Sequence, residues 1–181
     1  MHGKIKKIYL CMQISDAKLK KICYNVIMRK IIVVSDSHGN KTGIDKIFGT
    51  EKFDYFLFLG DCLSDLGCYA NLENVLKVRG NCDFFSGESS YGILQVEGVK
   101  VFYCHGHEYS VKSGIGAIVN AGKCVEANLV LYGHTHRFAH EMVGNVHVVN
   151  CPALSKTRGG DNSYLEILIE NEKISIFKKE I

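Results

Sequence analysis

The stretch LVLYGHTHR, Leu129 to Arg137, joins a four-residue apolar run to two histidines one residue apart. A short apolar run bounded by turn formers reads as a buried strand. The histidines at its end have two readings, metal ligands or hydrogen-bonded polar residues of a loop, and the pair alone does not choose between them. The neighbouring strand ends decide. KIIVVS runs into Asp36-Ser37-His38, YFLFLG into Asp61, VLKVRG into Asn81, and KVFYC into His105-Gly106-His107. Counting GHTH, five apolar runs therefore close on Asp, Asn or His. In α/β folds, ligands gather at the carboxyl ends of strands, where loops converge on a crevice.

Around these five runs the chain keeps the same rhythm. YGILQVEG, VHVVN, YLEILIE and KISIFK are further strand candidates, and residues 41–50, 64–73 and 110–124 are helix candidates. The early strands alternate with helices, which suggests βαβ units. The closing strands are joined by short turns such as VGN and ENEK. Together they predict a mixed sheet system with helices on its outer faces.

A chain of 181 residues is long enough for one domain with a sizeable core. Its 46% hydrophobic content, 23% charged content and net charge of +3 are those of an ordinary globular protein. No basic stripe marks a nucleic-acid footprint, since Lys18–Lys21 and Lys178-Lys179 read as solvated surface. No apolar run approaches the roughly 20 residues of a membrane span. Eight scattered cysteines without a CxxC pair read as reduced thiols of a cytoplasmic protein, not as a disulfide frame or zinc knuckle. Met28-Arg29-Lys30 before IIVVSDSHGN reads as a natural start. Residues 1–27 are therefore expected to be an extension outside the fold, at most a loosely attached helix, with the domain spanning 28–181.

Imidazole, carboxylate and amide oxygen without thiolate suit Mn, Fe, Zn or Ni in a reactive site better than a structural zinc. Two aspartates and four or five histidines exceed the needs of one ion, so the count favours a pair about 3.5–4 Å apart.

DxH, GD, GN, HGH and GHTH, in this order over residues 29–181, resemble the calcineurin-like metallophosphoesterase superfamily. Within it the chain is most similar to the small bacterial and archaeal, YfcE-like phosphodiesterase branch. The resemblance implies a four-layer α-β-β-α sandwich of two mixed sheets flanked by helices. It implies that Asp36, His38 and His136 hold one divalent ion, that Asn81, His105 and His134 hold the other, and that Asp61 bridges them. Mn2+ is the foremost expectation, with Ni2+, Fe2+ and Zn2+ as alternatives. The implied reaction is hydrolysis of a small phosphoester by in-line attack of a metal-bridging hydroxide. His107 lies outside the usual ligand set and is expected to orient a neighbour, meet substrate or supply a proton. Arg137 is expected either to meet a phosphate oxygen or to face solvent. Glycines 39, 60, 80, 106 and 133 allow close approach or are ordinary turn glycines.

Two departures stand out. GNCD puts Cys82 where larger members carry a histidine that acts on the leaving group, and a thiol is a poor substitute for an imidazole acid. VVNCPALS replaces an NPGS-like turn without touching a ligand. The competing function is a non-catalytic protein-binding scaffold, as in the retromer subunit of this fold. A filled set of seven ligand positions argues against it, and a phosphomonoesterase or phosphoprotein phosphatase is a further alternative. Neither the substrate nor the oligomeric state, a homo-oligomer included, is readable from these residues.

Overall fold

The computed structural model describes residues 6–8 and 24–181. Two short strands, β1 (Lys6–Ile8) and β2 (Tyr24–Val26), pair antiparallel. Of the segment 1–27, expected to be an extension with at most a loosely attached helix, these two strands and Ile27 are described, and the rest lies outside the described residues.

Two five-stranded sheets carry the domain. The first contains β3 (Met28–Val34), β4 (Tyr55–Phe58), β5 (Val75–Lys77), β11 (Ser163–Glu170) and β12 (Lys173–Glu180), in the order β12-β11-β3-β4-β5. The second contains β6 (Tyr91–Val96), β7 (Val99–Cys104), β8 (Leu129–Tyr132), β9 (Ala139–Val143) and β10 (Val146–Asn150), in the order β6-β7-β8-β10-β9. Both are mixed: β3, β4 and β5 run parallel, as do β7, β8 and β10, and antiparallel strands flank each set.

Residue parity builds the layers. Side chains alternate across a strand, so Ile31, Val33, Leu57, Leu59, Val101, Leu129 and Leu131 meet in the core between the sheets. Their neighbours Ile32, Val34, Phe56 and Phe58 face outward onto Ile44 and Ile47 of helix α1 (Lys41–Thr50). On the other sheet, Phe102, Cys104, Val130 and Tyr132 pack against Ile118 and Val119 of helix α2 (Gly116–Cys124). Strands buried on both faces need apolar residues on both faces, which is why they read as unbroken apolar runs. The expected four-layer α-β-β-α sandwich is the fold observed.

Three details differ from the sequence reading. Residues 63–71 form a 3-10 segment, kinked at Gly67 (φ 51°, ψ −123°), instead of a helix over 64–73. Helix α2 starts at Gly116, because Ser110 (φ 51°) and Gly114 (φ 152°) break the helical path before it. Strand β9 has no counterpart among the sequence candidates: AHEMV is an edge strand with both faces largely exposed, so it lacks an apolar signature.

The layer assignment predicts contrasting truncations. Leu131→Ala, at a fully buried position, should cost about 2–5 kcal/mol by urea unfolding. Phe177→Ala, 45% exposed on β12, should stay within about 0.5 kcal/mol. Equal losses would contradict this division into core and surface.

Candidate metal centre

The carboxyl ends of β3, β4, β5, β7 and β8 lie at one edge of the sandwich, and backbone contacts lock their loops together. Asp36 N–H donates to Gly60 O at 3.0 Å, and Gly133 N–H donates to His105 O at 3.0 Å. At Gly60 (φ +92°) an added Cβ would sit 2.4 Å from Gly80 N, and at Gly133 it would sit 1.9 Å from Ser35 Oγ. Only glycine permits these approaches.

Asp36 is fully buried. Its Oδ2 accepts from Ser35 Oγ (2.6 Å) and from the His134 backbone N–H (3.0 Å). Its Oδ1 is buried and takes no aligned hydrogen bond, although His136 Nε2 lies 3.1 Å away and the Nε2 atoms of His38 and His105 each lie 3.9 Å away. Burial alone would push this carboxyl up, but His136, Ser35 and the charge of His105 outweigh it and hold it below the usual carboxylate range. Asp61, 2% exposed, faces the same space: its Oδ2 is 3.7 Å from His38 Nε2 and its Oδ1 is 3.6 Å from His105 Nε2. His38 Nε2 and His136 Nε2 are 3.4 Å apart.

His105 shows the fit to a cation most directly. Its Nδ1 lies 2.7 Å from the Leu59 carbonyl, which can only accept, so Nδ1 carries a proton and Nε2 is the ring atom turned to the site. That Nε2 faces Asn81 Oδ1 at 3.2 Å and His134 Nδ1 at 3.2 Å. The Asn81 amide donates through Nδ2 to Cys82 Sγ, leaving Oδ1 turned inward. Two lone pairs facing each other at this distance repel unless a cation or a proton lies between them. Metal–nitrogen bonds of about 2.0–2.1 Å put two ligands of one ion about 3.0–3.4 Å apart, so these donors fit a divalent ion. Burial, the charge of His105 and Lys112 bring His134 down to about 4, outweighing Asp36 and Asp61, so at neutral pH it offers a lone pair. Asp36, His38 and His136 form one group of potential ligands within 4.8 Å, and Asp36, Asp61 and His105 form another.

The structure thus brings all seven ligand candidates together. Four of them, Asp61, Asn81, His134 and His136, line a cavity of about 280 Å3 together with Lys112 and Thr135. His107 is half-buried beside it, with ring centroids 5.3 Å from His105 and 6.2 Å from His134, and its Nδ1 has no hydrogen bond. Burial and the neighbouring His105 lower its proton affinity. Arg137 is exposed, with its backbone N–H on Thr135 Oγ1. His140 and His147 pair with each other at 3.0 Å. Cys82 Sγ lies within 4.8 Å of donors from His38 and Asp61, which makes it a neighbour of the centre.

Three residues escaped the sequence reading. Asp83 accepts backbone N–H groups from Asp61 (2.8 Å), Leu63 (2.9 Å) and Gly80 (2.8 Å). Asp65 accepts from Ser37 Oγ (2.6 Å) and Gly39 N–H (2.8 Å). These two carboxylates hold the Asp36–Gly39 and Asp61–Leu63 loops, where Asp36, His38, Asp61 and Cys62 all have positive φ. The fourth residue of GNCD was the available signal for Asp83. Lys112 lies seven residues beyond His105 and only the fold carries it to the cavity.

Loss of the Asp83 brace should loosen Asp61 without removing it. Asp83→Ala is expected to cost about 1–3 kcal/mol of stability and to weaken Mn2+ binding roughly 10–100-fold. Calorimetric titration with Mn2+ checks this, and unchanged affinity would remove the bracing role.

The calcineurin-like phosphoesterase superfamily domain model matches residues 28–172. A Methanocaldococcus jannaschii protein named phosphodiesterase MJ0936 is 28% identical over 149 residues, covering 67% of this chain and 81% of that one. A solved Streptococcus pneumoniae structure, described as a predicted phosphoesterase, superposes with a TM-score of 0.73 at 23% identity, covering 84% and 90% of the two chains. Vacuolar protein sorting 29 from Cryptosporidium parvum shares the fold with a TM-score of 0.68 at 14% identity, covering 85% of this chain and 98% of that one. With its family-model match spanning both helices and every strand of the two sheets except β12, the chain belongs to the calcineurin-like phosphoesterase superfamily.

Proposed function

We propose that this protein is a metal-dependent phosphodiesterase acting on small phosphoesters. Asp36, His38 and His136 hold one divalent ion, Asn81, His105 and His134 hold a second, and Asp61 serves both. Mn2+ is the preferred ion of this proposal, within residues 28–181 as the catalytic unit and a reducing cytoplasmic setting; Cys62, Cys68, Cys104, Cys124 and Cys151 are free thiols. Among the described residues, no helix is long and apolar enough to cross a membrane.

One observation carries the reading: His105 Nε2 facing Asn81 Oδ1 and His134 Nδ1, each at 3.2 Å, beside the unsatisfied Oδ1 of Asp36. A buried carboxylate oxygen without a hydrogen bond is costly to keep, and a cation held by these donors offsets that cost.

Bound divalent ions supply a nucleophile from water at neutral pH and offset charge on the phosphoryl oxygens. The chain does the remaining work. The buried Leu59 carbonyl fixes the His105 ring, and Asp83 and Asp65 fix the loops carrying Asp61 and His38. Lys112 places an ammonium on the cavity wall, where it meets a non-bridging phosphoryl oxygen. Protonation of the leaving oxygen is the weak step, because Cys82 occupies the position next to Asn81 and His107 does not line the cavity. Esters of acidic alcohols are therefore the better substrates.

Two predictions follow from these assignments. Purified protein saturated with Mn2+ should hold two ions per chain by elemental analysis, and His136→Ala and Asn81→Ala should each hold about one. Asp61→Ala should lose at least about 100-fold in turnover of bis-p-nitrophenyl phosphate; a single ion in the wild type, or full activity in Asp61→Ala, refutes the centre. Second, Lys112→Ala should lower kcat/KM on that substrate by about tenfold with metal content unchanged. His107→Asn should leave its turnover within about threefold, because p-nitrophenolate needs no proton to depart.

A further inference from the structure

A second cavity, of about 510 Å3, adjoins the centre at His38. Its walls come from three distant segments: His38, Gly39, Asn40, Thr42, Gly43 and Lys46 at the start of α1; Ser155, Lys156 and Thr157 after β10; and Asn162 with Ile181. Asn40 ties the walls together. Its Nδ2 donates to Leu154 O (2.7 Å) and Asn162 Oδ1 (2.8 Å), while its Oδ1 caps α1 through Gly43 N–H (3.0 Å). Such a cavity falls within the roughly 300–1,000 Å3 range of small-molecule sites.

Its chemistry is one-sided. Two lysines and three hydroxyl residues line it, no aspartate or glutamate does, and the one carboxylate that its lining residues carry is the terminal one of Ile181. The nearby acids are already committed: Asp65 to Ser37 and Gly39, Asp161 to Lys178 and Ser163, and Asp45 to Tyr69. Among the described residues, neither Lys46 nor Lys156 forms an ion pair, and Ile181 closes a wall without pairing with either. Two ammonium groups without a carboxylate partner favour an anion. Their position matters as much as their charge. His38 lines this cavity and lies 3.4 Å from His136, which lines the smaller one. The centre therefore stands between two spaces, as the phosphorus of a diester stands between its two arms.

We propose that this cavity is a subsite for the retained arm of the diester, and that it selects arms bearing a further phosphate. The inference rests on the phosphodiester reading above and names its substrate class: diesters with a phosphorylated sugar- or nucleoside-sized arm. Lys46 and Lys156 hold the distal phosphate, Thr42 and Thr157 line its sugar, and the leaving arm occupies the smaller cavity beside Lys112.

Two p-nitrophenyl esters of thymidine 5′-monophosphate, one with a free 3′-hydroxyl and one carrying a 3′-phosphate, separate this subsite from the reacting centre. Both release p-nitrophenol from the same phosphorus. With Mn2+-loaded protein, the 3′-phosphorylated ester should show a kcat/KM roughly tenfold higher or more. In the Lys46→Ala/Lys156→Ala double variant that ratio should fall to about one, while bis-p-nitrophenyl phosphate turnover stays within about twofold. Calorimetry with thymidine 3′,5′-bisphosphate and thymidine 5′-monophosphate reads the same preference without turnover. Hydrolysis with no preference for the 3′-phosphate, or a preference the double variant keeps, overturns the subsite and leaves the phosphodiesterase standing. Selective binding of the bisphosphate without hydrolysis of any diester retains the subsite and overturns the catalytic reading.

Discussion

The buried carboxylate of Asp36 is the joint on which the site depends. It follows the last residues of β3 in the first sheet, yet its Oδ2 receives the backbone N–H of His134 at the end of β8 in the second. A charge with no access to water is tolerated only when it is paired and hydrogen-bonded. That requirement binds the two sheets at their carboxyl edge and brings His38, His105 and His136 around the free oxygen. Neutralising Asp36 would remove both a potential ligand and a link between layers.

Holding so many polar groups at one edge imposes backbone cost. Asp36, His38, Asp61, His134 and His136 all have positive φ, a conformation non-glycine residues rarely adopt. The compensation is visible nearby. Asp83 gathers three backbone N–H groups, Asp65 gathers a hydroxyl and an N–H, and Gly60 and Gly133 remove the Cβ atoms that would keep the loops apart. The layers beneath are ordinary well-packed core. Strain is thus confined to the loops, where it orients ligand atoms, and the sandwich supplies the stability that sustains it.

Chemistry follows from this division. A buried set of carboxylate, imidazole and amide donors converging on one space belongs to a metal-dependent hydrolase more readily than to a passive surface. The two cavities flanking it, one with Lys112 and one with Lys46 and Lys156, give the site an anion preference that the modest overall charge of the chain conceals. Local arrangement, not net charge, is what a phosphoester meets.

The helix-flanked mixed sheets were legible in the sequence because strands buried on both faces must be apolar throughout, as in KIIVVS and NLVLYG, whereas the four-layer arrangement was implied by the family resemblance. The ligand candidates were legible because each sits directly after such a run. Strand β9 was hidden by its exposure, and the 63–71 segment by a glycine whose conformation depends on its surroundings. Asp83, Asp65 and Lys112 were equally hidden, since a carboxylate that braces a loop and a lysine that turns toward a cavity look like any other surface charges in one dimension. The sequence by itself determined the strands and the reactive residue types, through periodicity and strand ends. Only the tertiary structure decided which strand ends share a cavity, which lone pairs oppose one another, and which lysines lack a carboxylate, because those facts are distances between residues far apart in the chain.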